Sequence, residues 1–275
     1  MTLTIDSTLI LANSVKMPIF GLGSYLLTGN LGQKAIEFAL EIGYGLIDTA
    51  TLYNNEKIVG NALRISKIPR DEVFITSKVW NSDQGYSRTI NAFNKSLNNL
   101  GVEYMDLYLI HWPVEGKWVE TWKALEELYY KGEVRAIGVS NFYIPHLKEI
   151  QEIASIKPMV NQIECHPFLY KKDVLEYCQE KGIVLESYAP LTHGYKFNEI
   201  KSPQFLQMME KYNKSATQLM LRWNIQHGNV IIPKSINPSH IRENAKIFDF
   251  TISVDDMQYL DSINEDFHSD WDPSD

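Results

Sequence analysis

The chain has 275 residues, with 26 Lys plus Arg against 34 Asp plus Glu and a formal net charge of -8. A hydrophobic fraction of 44% with 22% charged residues excludes a disordered chain, and the acidic balance argues against a nucleic-acid or anionic-membrane partner. Two cysteines, Cys165 and Cys178, are too few for a disulfide framework. The opening MTLTIDSTLI has no basic segment and no long apolar run, and no 18-residue apolar stretch occurs anywhere. The expectation is therefore a reduced cytoplasmic protein without signal peptide or membrane span.

Taken in chain order, Leu3 to Met17 reads as a β-hairpin turning at Asn13-Ser14. Short β-branched and aromatic runs then recur near Ile19, Gly45, Phe74, Asp106, Ala136, Val160, Val184 and Val230. They are spaced 24 to 32 residues apart, except for a last gap of 46. Helical stripes lie between them, such as Ala35, Ala39 and Ile42 stopped by Gly43, and Trp118, Trp122, Leu125 and Tyr129. The long final gap leaves room for an extra helix around Thr217 to Gln226.

Eight strands alternating with helices require parallel pairing through crossovers. An open doubly wound sheet would want G-x-G-x-x-G after its first strand. Here Gly21-Leu22-Gly23 begins that pattern, but position 26 is Leu. The expected fold is an α/β (β/α)8 TIM barrel over residues 1–275 as a single domain, with the hairpin plugging its N-terminal end.

In such a barrel the chemistry sits at the C-terminal strand ends. Those ends carry Asp48, Lys78, His111, Ser140-Asn141, Gln162 and Lys234-Ser235, with Tyr53 shortly after Asp48. Strand alternation puts Lys78 on the face of Phe74 and Thr76, and His111 on the face of Leu107 and Leu109. A phenol titrates near 10, too high for a good acid at neutral pH. A neighbouring ammonium would lower that value, Asp48 would hold Lys78 charged, and His111 would hydrogen-bond a carbonyl oxygen. No side chain delivers hydride, so a cofactor must. A Schiff-base lysine is opposed by Asp48; a purely structural Asp48–Lys78 pair is the other reading. His166 has no partner evident from the sequence. The seven histidines show no metal-ligand spacing, so no metal is expected.

Eight stretches, GLG (21–23), GLIDTATLYNNE (45–56), ITSKVW (75–80), DLYLIHWP (106–113), IGVSNF (137–142), NQIECHP (161–167), SYAPL (187–191) and IPKS (232–235), follow in order at barrel spacing. In these the chain resembles the aldo-keto reductase family, in particular its short prokaryotic and protist members such as diketogluconate reductases and prostaglandin F synthases. The resemblance implies reduction of aldehydes or ketones with NADPH, and a catalytic tetrad of Asp48, Tyr53, Lys78 and His111 with Tyr53 as general acid. It further implies Ser140, Asn141 and Gln162 at the nicotinamide carboxamide, Tyr188 stacked on the ring, Leu191 at the pyrophosphate, Lys234 and Ser235 at the 2′-phosphate, and Glu243 and Asn244 at the adenine. His240 stands where the family commonly has Arg, which leaves NADH open as a cofactor. His193 stands in the pyrophosphate loop. Tyr25, Leu52, Trp80 and Trp112 are expected to line the substrate pocket. Only nine residues follow Asp266, so an open pocket for small carbonyls is expected, in a monomer. The alternative is a cofactor-binding regulatory or structural subunit with little turnover.

Overall fold

The computed structural model describes residues 3–196 and 198–272. The chain opens with an antiparallel hairpin of β1 (Thr8–Ile10) and β2 (Lys16–Pro18), in which Leu9 faces Met17. Its turn is built by Asn13, whose carboxamide oxygen accepts from the Val15 amide at 3.2 Å, and by Ser14 in the left-handed region at φ 70°. An Asn side chain folding back onto the backbone two residues on is what makes Asn-Ser a turn signal.

Eight parallel strands follow: β3 (Leu22–Gly23), β4 (Leu46–Asp48), β5 (Phe74–Val79), β6 (Met105–Ile110), β7 (Val134–Ser140), β8 (Val160–Glu164), β9 (Val184–Tyr188) and β10 (Val230–Ile231). Each hydrogen-bonds its sequence neighbour in unbroken order. The strand expected near Ile19 is short, and the residues before it close the barrel. Gly21 donates to the Ile231 carbonyl at 2.9 Å, Ile231 donates to the Ile19 carbonyl at 3.0 Å, and Gly23 donates to the Pro233 carbonyl at 3.3 Å. A Cβ on Gly23 would lie 2.7 Å from the Ile232 carbonyl oxygen, so a residue without a side chain is needed where first and last strands meet.

Helices cover the outside: α1 (Gly29–Glu41), α2 (Glu56–Ser66), α3 (Tyr86–Leu100), α4 (Trp118–Tyr130), α5 (Ile144–Ile153), α6 (Lys172–Glu180), α7 (Pro203–Tyr212), α8 (Ala216–Gln226), α9 (Pro238–Asn244) and α10 (Val254–Ser262). On α4 the apolar stripe packs inward: Trp118, Trp122 and Leu125 are buried and Tyr129 is half-buried. Burying each such side chain stabilises by about 1.5–3 kcal/mol. Gly43 ends the first helical stretch at φ 97°. The long gap before β10 holds two helices rather than one: α8 falls on the expected span, capped by Ser215 with Gln218 reaching back, and α7 precedes it.

Alternation along the strands sorts two cores. One face of each strand, including Ile47, Ile75, Tyr108, Ile137, Ile163 and Leu185, packs on the helices. The other face fills the barrel with Leu46, Phe74, Leu107, Leu109, Ala136, Val160 and Val230, sealed below by Leu11 and Met17 around the hairpin. Asp48, Lys78, Gln162 and Glu186 follow the interior residues two positions on or by further pairs, so they stand on the same inward face at the other end.

Candidate active site

The interior apolar layers end at a cleft of about 490 Å3, lined among others by Tyr25, Asp48, Leu52, Tyr53, Trp80, His111 and Trp112. At its floor lies an ion pair almost without solvent. Lys78 is 0% and Asp48 2% exposed, and the ammonium meets both carboxylate oxygens at 2.7 Å. Lys78 also donates to the Thr49 carbonyl at 3.0 Å and to the Tyr53 hydroxyl at 3.4 Å. A short 3-10 turn, Thr51–Tyr53, delivers the phenol. Thr51 pins this turn to β5 by donating to the Lys78 carbonyl at 3.0 Å.

Burial works against the Lys78 charge, but Asp48 outweighs it and holds the ammonium above the ordinary lysine value. An amine held protonated is no Schiff-base nucleophile. Burial likewise pushes the Asp48 carboxyl up, against the pull of Lys78 and of Gln162. The Tyr53 phenol departs from the sequence-based expectation. Burial pushes it up to about 12, and Lys78 offsets only part of that rise. His111 is held well below the ordinary histidine value, first by burial and then by the Lys78 charge, so its ring is neutral. Its Nδ1 is buried without a partner among the described residues. The ring stands edge-on to Tyr53, 5.9 Å between centroids, and to Trp80, 5.1 Å.

Beside this group, Asn141 adopts a left-handed backbone at φ 63°. Its carboxamide donates to the His111 carbonyl at 3.0 Å and to the Ser140 hydroxyl at 3.1 Å, and accepts from the Tyr188 hydroxyl at 3.0 Å. Gln162 donates to Asp48 at 2.9 Å and to Glu186 at 2.8 Å. Glu186 is a member of the site that the sequence motifs do not single out, although it alternates with Val184 and Tyr188 on the inward face of β9. Farther along the same cleft lie Leu191, His193, Lys234, Ser235, His240, Glu243 and Asn244. Thr192 and His193, in the loop after β9, both hold positive φ, 55° and 49°. Lys234 and His240 are exposed, and among the described residues no carboxylate pairs with Lys234.

Two expectations need correction. The pocket is less open than the short tail implies, because Asp270 and Trp271 line the cleft and the Trp271 ring sits 6.0 Å from that of Trp112. The tail is tied down by the buried Glu164, which accepts from the Ser269 amide at 2.9 Å and from the Asp270 amide at 3.3 Å. Nor is His166 without a partner: its Nε2 lies 3.0 Å from Glu164, which shares its face of the chain two residues earlier. Cys165 and Cys178 are buried free thiols, pushed up by burial to about 12 and about 11, and so are unreactive.

The sequence model of the aldo/keto reductase family matches residues 27–265. The chain belongs to the aldo/keto reductase family. It is 50% identical over 268 residues to the glyoxal reductase of Bacillus subtilis, covering 97% of this chain and 96% of the relative. It is 47% identical over 264 residues to the 9,11-endoperoxide prostaglandin H2 reductase of Trypanosoma cruzi, covering 96% and 93%. Among solved structures it superposes with a TM-score of 0.92 on MGS-M4, an aldo-keto reductase from a Medee basin deep-sea metagenome library, at 44% identity over 95% of this chain and 96% of that one. A second aldo-keto reductase, solved in complex with NADPH, gives a TM-score of 0.91 at 31% identity over 96% and 89%. As a member of this family the protein is an NAD(P)H-dependent oxidoreductase. No helix among the described residues is long and apolar enough to cross a membrane.

Proposed function

We propose that this aldo/keto reductase reduces small aldehydes or ketones to alcohols with NADPH, and that Tyr53 gives the proton. The observation that carries the reading is the Lys78 ammonium at 3.4 Å from the Tyr53 hydroxyl, on the floor of a cleft that also holds a neutral His111.

The residues fit a nicotinamide dinucleotide. A single continuous cleft runs from Tyr53 past Ser140, Asn141 and Gln162, under Tyr188, to Lys234, His240 and Asn244. One end offers fixed amide groups and a flat aromatic ring; the other offers an exposed ammonium suited to a phosphate. A relative of the same fold holds NADPH. In this reading Ser140, Asn141 and Gln162 hold the carboxamide, Tyr188 the ring face, Leu191 and His193 the pyrophosphate, Lys234, Ser235 and His240 the 2′-phosphate, and Glu243 and Asn244 the adenine.

A bound reduced nicotinamide supplies the hydride. The chain's own residues do the rest. Tyr25, Leu52, Trp80, Trp112 and Trp271 exclude water from the carbonyl. His111, neutral, offers one N–H to its oxygen. Tyr53 keeps its proton firmly at neutral pH, so the donor form is fully populated. As negative charge builds on the carbonyl oxygen, that oxygen becomes a far stronger base than a phenolate and takes the proton. Lys78 then stabilises the phenolate left behind, and Asp48 keeps Lys78 in place.

The test is to mix the protein with NADPH and a panel of short aldehydes, 2-oxoaldehydes and sugar-derived ketones and to follow the nicotinamide absorbance. Loss of absorbance with alcohol formation supports the reading. Tight NADPH binding without turnover of any carbonyl overturns it in favour of a binding module.

A further inference from the structure

The floor of the barrel mouth holds more carboxyl groups than its buried ammonium can match. Asp48 and Glu186 both point inward there, and Lys78 is spent on Asp48 through two contacts of 2.7 Å. Glu186 is 0% exposed. One of its oxygens accepts from Gln162 at 2.8 Å, and the other, Oε1, has no partner among the described residues. A buried carboxylate with one bare oxygen costs more than the neutral acid in the same place, because the acid leaves an unpaired polar group but no unpaired charge. The same Gln162 nitrogen reaches Asp48 at 2.9 Å. Both amide hydrogens are therefore committed, one to each carboxyl group. With both hydrogens held by carboxyl groups, the carbonyl oxygen is the polar atom that Gln162, a lining residue of the cleft, has left to offer a ligand.

We propose that Glu186 is a positioning residue that clamps Gln162 so that the Gln162 carbonyl oxygen is presented to the carboxamide of the nicotinamide. This rests on the reading of the cleft as a nicotinamide site. The charged groups acting on Glu186 are Asp48 from β4 and Lys78 from β5; the neutral Gln162 from β8 and apolar Val230 from β10 are its register neighbours, and Tyr188 follows two positions on along its own strand. Glu164, two residues beyond Gln162, is turned to His166 and the tail. Burial and then the Asp48 charge push Glu186 up to about 8, against the pull of Gln162 and Lys78. Above that pH an extra negative charge appears beside the Asp48–Lys78 pair. That charge acts on Lys78 and weakens the support that the ammonium gives a Tyr53 phenolate, so reduction should slow.

The experiment compares the full chain with its Glu186→Gln and Glu186→Leu variants, by NADPH fluorescence titration and by steady-state reduction between pH 6 and 9.5. Glu186→Gln mimics the protonated acid and should bind NADPH within about twofold of the wild type. Wild-type turnover should fall roughly threefold as pH rises through about 8, and the Gln variant should lack that fall. Glu186→Leu removes one of the two anchors of Gln162, leaving only Asp48, and should weaken NADPH binding about fivefold, the worth of one ordinary hydrogen bond, with a larger change in cofactor KM than in kcat. The proposal is overturned if the Gln variant shows the same alkaline fall, or if the Leu variant binds NADPH as tightly as the wild type. If the Leu variant does not fold, the Gln variant's pH profile alone decides. A wild type that binds no NADPH overturns the nicotinamide reading and this proposal together; a wild type that binds and reduces while the variants behave like it overturns only this one.

Discussion

The Lys78 ammonium lies 3.4 Å from the Tyr53 hydroxyl, close enough to stabilise a phenolate there. The same ammonium is fully buried against Asp48. Removing one partner of a buried pair leaves an uncompensated charge, which costs about 3–5 kcal/mol. Lys78→Met should therefore lower unfolding stability by about that amount as well as abolish reduction, and Asp48→Asn/Lys78→Met together should recover part of the stability but none of the activity. Denaturant unfolding of the two variants checks this; equal stabilities would mean that the pair carries no such coupling.

At the far end of the cleft, His240 and Lys234 are both exposed. Histidine is mostly uncharged at pH 7, whereas arginine forks onto a phosphate with a permanent charge. His240→Arg should tighten NADPH about fivefold while leaving NADH within about twofold, the difference shrinking at high salt. Paired titrations with the two cofactors measure it. An equal gain for both would place position 240 out of reach of the 2′-phosphate.

Asp270 brings an acidic group to the cleft wall next to Trp271. A carboxylate-bearing carbonyl entering there meets repulsion worth up to about 1 kcal/mol at an exposed site. Asp270→Asn should raise kcat/KM for a keto acid or an acidic aldehyde by about two- to fivefold relative to a neutral aldehyde of the same size. Competition between such a pair gives the ratio directly, and an unchanged ratio would remove Asp270 from substrate selection.

The tail that carries Asp270 has its own pH dependence. Burial would push the Glu164 carboxyl up, but hydrogen bonds from His166 and Ser269 outweigh it and hold the group below its ordinary value of 4.5. A depressed carboxyl stabilises the folded state above its unfolded value, and that stabilisation is lost as pH falls through the folded one. The tail should thus stay seated at neutral pH and come away only below 4.5. The difference in tryptophan fluorescence between the wild type and Trp271→Phe should report this as a change confined to acid. In Glu164→Gln the same change should already be present at pH 7.

Much of this architecture is legible in the sequence because period-two alternation carries it. Leu46 with Asp48, Phe74 with Thr76 and Lys78, and Val160 with Gln162 announce an inward face that starts apolar and ends polar. What alternation cannot carry is long-range. Nothing near Asp270 or Trp271 in sequence indicates that the tail reaches Trp112, since the link depends on Glu164, more than a hundred positions away. Glu186 stands in plain alternation with Tyr188, yet its meaning depends on Gln162 from the neighbouring strand. The height of the Tyr53 phenol is hidden for a related reason. A charged neighbour can be guessed from motifs, but the depth of burial that outweighs it is a property of the folded cleft. The partner of His166 is within reach of the sequence, because Glu164 lies two residues before it.

Replacing Tyr53 by Phe removes one oxygen and leaves the Asp48–Lys78 pair and the amide groups of the cleft in place. NADPH titration together with single-turnover reduction of a short aldehyde by Tyr53→Phe is therefore the most direct measurement. The account predicts NADPH affinity within about twofold of the wild type and a loss in rate of at least about 10²-fold, the usual share of a positioned general acid. Near-normal turnover with the phenol gone would contradict it.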